Sequence, residues 1–84
     1  MNRVFATTIE ATIGDRLVVR PVEDSKIEGV IRGLIFSKNN KEVDVRVRVT
    51  GPTGRQFESV LTTMNDFINL FNSKCELLGL EQIK

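Results

Sequence analysis

Alternating apolar and polar residues are clearest between positions 43 and 49. Four valines occupy every second position of this segment, and Asp44, Arg46 and Arg48 stand between them. A period of two is typical of a β-strand that buries one face and exposes the other. We call residues 43–49 the valine strand, and we expect its valines in the core and its arginines on an outer face.

Shorter β-branched segments on either side of the valine strand predict a sheet. Residues 3–11 alternate loosely, and we place them at an edge. Residues 16–22 predict a second strand, which must end at Pro21 or lie at an edge because proline cannot donate a ladder hydrogen bond. Residues 55–62 predict a further strand after a reversal at residues 50–54, which contains one proline and two glycines.

Residues 27–38 support two interpretations. Gly29 and Gly33 oppose a helix, because each costs a helix interior about 1 kcal/mol relative to alanine. The β-forming residues of this segment, and the need of the valine strand for a partner, favour a strand that bends at its glycines. We therefore expect a hairpin that reverses at residues 38–41, with a helix as the alternative. The residues at helical spacing that support the alternative are Ile27, Val30, Ile31, Leu34 and Ile35.

Residues 63–71 carry the best helical pattern in the chain. Thr63 can cap the amino terminus, Asp66 falls in the first turn, and apolar residues form one stripe. We expect a short helix that closes an open end of the sheet. Residues 75–80 would then form a closing strand.

Size and composition describe one small domain, which we assign to residues 1–84. Of the 84 residues, 40% are hydrophobic and 27% are charged, which allows a single modest core. No apolar run approaches the roughly 20 residues that span a bilayer, and no leader is apparent, so no membrane association is expected. Cys75 is the only cysteine, and without a disulfide the expected compartment is the reducing cytoplasm.

Taken in order, these elements predict a mainly β fold. It would be a small barrel of five to six antiparallel strands, with one short helix at about residues 63–71 before the last strand. Several segments resemble SH3-like barrels of the KOW and Tudor kind, and the resemblance covers residues 13–80. The resembling segments are GDRLVV at 14–19, EGVIRGLI at 28–35, the valine strand, and NDFINL at 65–70, where such barrels place a short 3₁₀ turn.

The resemblance implies several modes of recognition, and the composition argues against two of them. Tudor domains hold methylated side chains in an aromatic cage, and SH3 domains bind proline-rich peptides on an aromatic groove. The chain contains no Trp and no Tyr, so both modes are disfavoured. KOW-type barrels, which the resemblance ties to RNA, ribosomes and RNA polymerase, need no such cage.

Catalytic chemistry is not indicated. The chain has no histidine, and histidine is the commonest general base and metal ligand. Neighbouring carboxylates such as Glu42 and Asp44 fall on a solvated strand face, and Cys75 has no positive neighbour that would activate a thiolate. We therefore expect no enzyme activity, no cofactor and no metal site.

Basic residues concentrate in the middle of the chain. Residues 16–55 hold nine basic and five acidic residues, although the net charge of the whole chain is +1. Arg46 and Arg48 would project from one strand face about 6.6–7 Å apart, and Arg32 would join them if its segment were a strand. The candidate binding residues are Arg32, Lys38, Lys41, Arg46, Arg48 and Arg55.

A solvated sheet face is the simpler interpretation of the same arginines. In that case Asp44 and Glu58 would be their cross-strand partners. In the functional interpretation, the arginines form a basic face that binds an acidic protein or a nucleic-acid backbone.

We expect a non-enzymatic binding module, a small regulator, adaptor or inhibitor that engages a larger protein assembly through this Arg-rich face. A protein partner comes first because a net charge of +1 lacks the bulk positive charge of most nucleic-acid binders. One alternative is a KOW-like barrel that binds nucleic-acid phosphates. Another is a structural subunit that forms a homo-oligomer through the strand at residues 3–11. The arginines of the nucleic-acid alternative are Arg16, Arg20, Arg32, Arg46, Arg48 and Arg55.

Overall fold

The computed structural model describes residues 7–38 and 44–83, except for the side chains of residues 37 and 38. The strands are β1 (Thr7–Ile13), β2 (Arg16–Val22), β3 (Val45–Thr50) and β4 (Gln56–Val60). The helices are α1 (Ile27–Lys38) and α2 (Met64–Leu78), and a 3₁₀ turn at Asp24–Lys26 leads into α1. The four strands form an antiparallel sheet in the order β2–β1–β3–β4.

Both helices cover one face of this sheet. Alternate residues of β1 and β3 are buried there, and Val45, Val47 and Val49 are fully buried. This confirms the inward side of the valine strand, whose Val43 lies outside the described residues. α2 contributes two phenylalanines to the same core, and the ring of Phe67 lies 5.8 Å from that of Phe57 on β4.

β2 is an edge strand, which is one of the two possibilities that Pro21 allowed. Ile13 pairs with Arg16 across a two-residue turn, in which Gly14 has a φ of +62°. The N–H of Gly14 donates to the carbonyl of Asp44, beside β3. Because backbone groups alternate in direction along a strand, those of Ile13 point toward β2. By the same alternation, the backbone nitrogen of Pro21 points away from β1. The sheet therefore loses no hydrogen bond through the missing N–H of this proline.

The strand predicted at residues 27–38 is wrong, because this segment forms α1. Ile27 and Ile31 are buried against the core, and burying such a side chain contributes about 1.5–3 kcal/mol. That gain exceeds the cost of the two helical glycines. Gly29 and Gly33 lie on the exposed side of α1, where an added Cβ would meet no atom within 4 Å.

The barrel is not confirmed, since the described residues form an open four-stranded sheet with two helices. The valine strand is paired by β1 and β4, not by residues 27–38. Of the turn predicted at 38–41, residues 39–41 lie outside the described residues. The edge position of residues 3–11 is also wrong for its described part, because β1 lies between β2 and β3.

α2 extends beyond the predicted helix and replaces the predicted closing strand. The hydroxyl of Thr63 accepts a hydrogen bond from the N–H of Asp66 at 3.2 Å, which confirms the predicted amino-terminal cap. The helix continues through Leu78 and ends at Gly79, whose φ is +77°. The hydroxyl of Thr53, in the β3–β4 turn, donates to the carbonyl of Leu77 at 3.0 Å. This bond satisfies part of the carboxyl end of the helix.

Among the residues that the structure describes, no helix has both the length and the hydropathy needed to cross a bilayer.

Candidate interaction surface

The candidate site is the face of the sheet that neither helix covers. Paired residues of neighbouring strands share a face, so the strand register assigns each side chain to one side. We call this the outer face. Its side chains are Leu17, Val19 and Pro21 of β2, Thr8, Glu10 and Thr12 of β1, Arg46, Arg48 and Thr50 of β3, and Gln56, Glu58 and Val60 of β4.

An ion-paired row crosses the middle of the outer face. Arg48 pairs directly with Glu10 on β1 and with Glu58 on β4. Its Nη2 and Nε atoms donate to Oε2 of Glu58 at 2.8 and 3.0 Å. Its Nη1 lies 3.6 Å from Oε2 of Glu10. Arg48 is therefore held between two carboxylates.

These carboxylates also favour the charged form of Arg48. The hydrogen bonds and the charge of Glu58, followed by the charge of Glu10, raise the pKa of Arg48 above its ordinary value. The guanidinium stays charged, but its positive charge is compensated within the row. Glu58 is one of the cross-strand partners that we expected if the arginines belonged to a solvated sheet face. For Arg48, that simpler interpretation therefore holds.

Arg46 differs from Arg48 in its neighbours. Its cross-strand partners are Thr12 and Val60, and it makes no salt bridge to any of the described residues. The side chain is exposed. Arg46 is therefore the cation of the outer face whose charge is available to another molecule.

Apolar side chains lie at both margins of the outer face. Leu17 and Val19 on β2 are 62% and 55% exposed, and Val60 on β4 is 44% exposed. Leu17, Thr12, Arg46 and Val60 form one row across the four strands. Leu17 and Val19 are neighbours on one strand face, and adjacent exposed apolar residues on a rigid surface are typical of a contact site.

Four of the six predicted site residues have side chains that the structure describes, and two of these four lie together. Arg46 and Arg48 share the outer face. Arg32 lies on α1, on the opposite side of the sheet, where its Nη2 is 3.9 Å from Oε2 of Glu28. Arg55 is exposed in the turn before β4.

The side chains of the two predicted lysines, Lys38 and Lys41, lie outside the described residues. The backbone of Lys38 ends α1, and the backbone of Lys41 is outside the described residues as well.

Sequence reasoning missed the apolar margin and Glu10. The alternation in residues 16–22 shows that Leu17 and Val19 share a face, but does not show which face the helices cover. Glu10 reaches Arg48 through the β1–β3 pairing, whose strands are separated in sequence by β2 and α1. No local signal specifies such a pairing.

Metal ligands and the cysteine were the remaining candidates for reactive chemistry among the described residues. They contain no group of three or more His, Cys, Asp or Glu residues that could hold a metal ion. Cys75 is buried, and its burial raises the pKa of the thiol. A protonated, buried thiol is a poor nucleophile.

No protein-family model, curated protein or solved structure matches the chain. The outer face itself is therefore the basis for a functional assignment.

Proposed function

We propose that the protein is a non-enzymatic protein-binding module, a small regulator, adaptor or inhibitor, and that its outer face contacts a larger protein. The observation that carries this proposal is the exposure of Leu17 and Val19 on an uncovered sheet face that also displays Arg46. Apolar anchors and arginine are the side chains that protein interfaces use at their centres. A rigid sheet holds them in place without ordering a loop.

The charge of the outer face favours a protein over a nucleic acid. Glu10 and Glu58 offset Arg46 and Arg48, so the face as a whole carries no net charge. A phosphate backbone is bound mainly by net positive charge, and this face does not offer it. A protein partner with an apolar contact patch and one carboxylate for Arg46 fits better.

Affinity capture from an extract of the source organism, with and without nuclease, tests this proposal. The test variants are the double substitution Leu17→Ser with Val19→Ser, and the single substitution Arg46→Glu. The matched control is Arg32→Glu, which changes the charge as Arg46→Glu does but on the opposite side of the sheet. Leu17, Val19, Arg32 and Arg46 are all exposed, so each variant should fold.

We expect a stoichiometric protein partner that resists nuclease, is lost with both test variants and is retained by the control. Capture that disappears with nuclease would instead support nucleic-acid binding. Equal capture by all variants would contradict the assignment of the outer face.

A further inference from the structure

The outer edge of β2 has backbone groups that pair with no strand of the described residues. Because the backbone groups of Ile13 and Arg16 point toward each other, those of Leu17 and Val19 point away from the sheet. No other strand among the described residues lies beside this edge. Pro21 adds an outward carbonyl but no N–H. The edge therefore presents two donors, at Leu17 and Val19, to an incoming strand.

The helix side of β2 carries cations that form no salt bridge with the described residues. Arg16, Val18 and Arg20 lie on this side, opposite Ile13, Ala11 and Ile9. Both arginines are exposed and make no salt bridge to the described residues. β2 itself contains no acidic residue.

A groove between β2 and α1 extends this basic character. It has a volume of about 500 Å³. Arg20 and Lys26 are its charged lining residues, and the rest of the lining is apolar or glycine. No acidic side chain of the described residues lines the groove, so its charge complements a negatively charged segment.

We propose that β2 accepts an extended acidic segment of a partner protein as a fifth strand of the sheet. This proposal rests on the proposed function and names its binding mode, strand addition at an exposed edge. The backbone of the segment would pair with Leu17 and Val19. Its acidic side chains would face Arg16 and Arg20, and its apolar side chains would extend the outer face beside Leu17 and Val19.

A second copy of the chain fits this edge less well than an acidic segment. In the antiparallel register that uses all four N–H groups of two β2 strands, Leu17 lies opposite Val19 of the other copy. That register also places Arg16 opposite Arg20 of the other copy, and like charges in directly opposed positions are destabilising. A register centred on Val19 places Pro21 where an N–H is required. Like-charge repulsion disfavours the first register, and the missing N–H of Pro21 disfavours the second. An acidic strand of another protein therefore fits the edge better than a second copy does.

A pair of synthetic peptides tests the proposal. The probe is a capped peptide of about ten residues, a common strand length, that alternates glutamate with valine or threonine. Its control has lysine in place of every glutamate. Binding is followed through the backbone amide resonances of the intact protein, together with the hydrogen exchange of the Leu17 and Val19 amides. We expect the glutamate peptide to shift β2 resonances and to slow these two amides, and the lysine peptide to do neither.

Charge reversal provides the matched variants. The double substitution Arg16→Glu with Arg20→Glu should weaken the glutamate peptide about tenfold and should let the lysine peptide bind. The control, Arg32→Glu with Arg55→Glu, changes the net charge equally at sites away from β2 and should leave both peptides unaffected. Val19→Pro removes one outward N–H, keeps both arginines, and should also weaken the glutamate peptide.

Absence of binding by the glutamate peptide at low salt would overturn the proposal. So would resonance changes that avoid β2, or an equal loss with both double variants. In those cases Arg16, Arg20 and Pro21 serve only to keep the edge unpaired. If the peptide fails while a partner is still captured through Leu17, Val19 and Arg46, the binding mode is wrong and the proposed function stands. If the peptide binds but the outer-face variants capture as the wild type does, the proposed function is the part that fails.

Discussion

Arg48 and Glu58 are direct cross-strand partners on the outer face, with Nη2 of Arg48 2.8 Å from Oε2 of Glu58. Glu10 approaches the same guanidinium from the other neighbouring strand, at 3.6 Å. Two residues along the same strand, Arg46 has the uncharged residues Thr12 and Val60 as its direct cross-strand partners. The two arginines lie on the same face of the same strand but differ in role. Arg48 is ion-paired within the sheet, whereas the charge of Arg46 is available to another molecule.

Replacing each arginine with glutamate should give different stabilities. Arg48→Glu places three carboxylates in one row, whereas Arg46→Glu introduces a charge between Thr12 and Val60. We expect Arg48→Glu to lower the urea midpoint of unfolding clearly more than Arg46→Glu does. The difference should shrink in high salt, since exposed charges are screened. Equal midpoints at low salt would show that the row has no structural role.

Gly33→Ala should stabilise the protein. Gly33 lies in the interior of α1, and an added Cβ would meet no atom within 4 Å. Alanine restricts the unfolded chain more than glycine does and favours the helix, so we expect a gain of about 0.5–1 kcal/mol in the free energy of unfolding. Chemical denaturation measures this gain. A lower free energy of unfolding would mean that the groove beside Gly33 is more crowded than the structure shows.

The same substitution at Gly51 should have the opposite effect. Gly51 is buried beside the end of α2, and a Cβ there would overlap the backbone carbonyl of Leu78. Overpacking of this kind costs about 1–3 kcal/mol, and the obstructing atoms belong to backbone rather than to a flexible side chain. Gly51→Ala should therefore lower the free energy of unfolding, with Gly33→Ala as its matched control. A neutral result would require the end of α2 to shift without cost.

Cys75 should make stability depend on pH in the alkaline range. Burial raises the pKa of its thiol in the folded protein, while in the unfolded chain the thiol titrates near its ordinary value of about 8.5. The resulting stabilisation is fully present below that value and is lost as the pH rises through the folded-state pKa. Between pH 7 and pH 10 the wild type should therefore lose more unfolding free energy than Cys75→Ala. Parallel losses in the two proteins would contradict this account.

The sequence predicted the parts of the fold that local pattern determines. The buried side of β3 follows from alternation and the Thr63 cap from capping chemistry, and both are observed. The missing N–H of Pro21 allowed either an end of β2 at that residue or an edge position, and the structure shows the edge. α1 was predicted only as the alternative to a strand, because its glycines and its apolar stripe nearly balance within the segment. Packing of Ile27 and Ile31 against the sheet decides between helix and strand, and that contact is not local.

The candidate site, like the fold, was predicted where it depends on local sequence and was missed where it depends on contacts between distant segments. Arg46 and Arg48 share a face because they are two residues apart in one strand, which the sequence alone establishes. Arg32 was grouped with them only through the strand predicted for residues 27–38, so it left the site when that segment proved helical. The place of Glu10 in the ion-paired row depends on the β1–β3 register, which only the structure supplies.

Methyl NMR of the free protein and of its complex with the captured partner tests the outer face most directly. Leu17, Val19 and Val60 expose methyl groups on that face, and Leu70 and Leu77 on α2 are exposed to a similar extent. We predict that the methyl resonances of Leu17, Val19 and Val60 change on binding, while those of Leu70 and Leu77 stay in place. Changes at Leu70 and Leu77 with none at Leu17 and Val19 would contradict the assignment of the outer face as the contact surface.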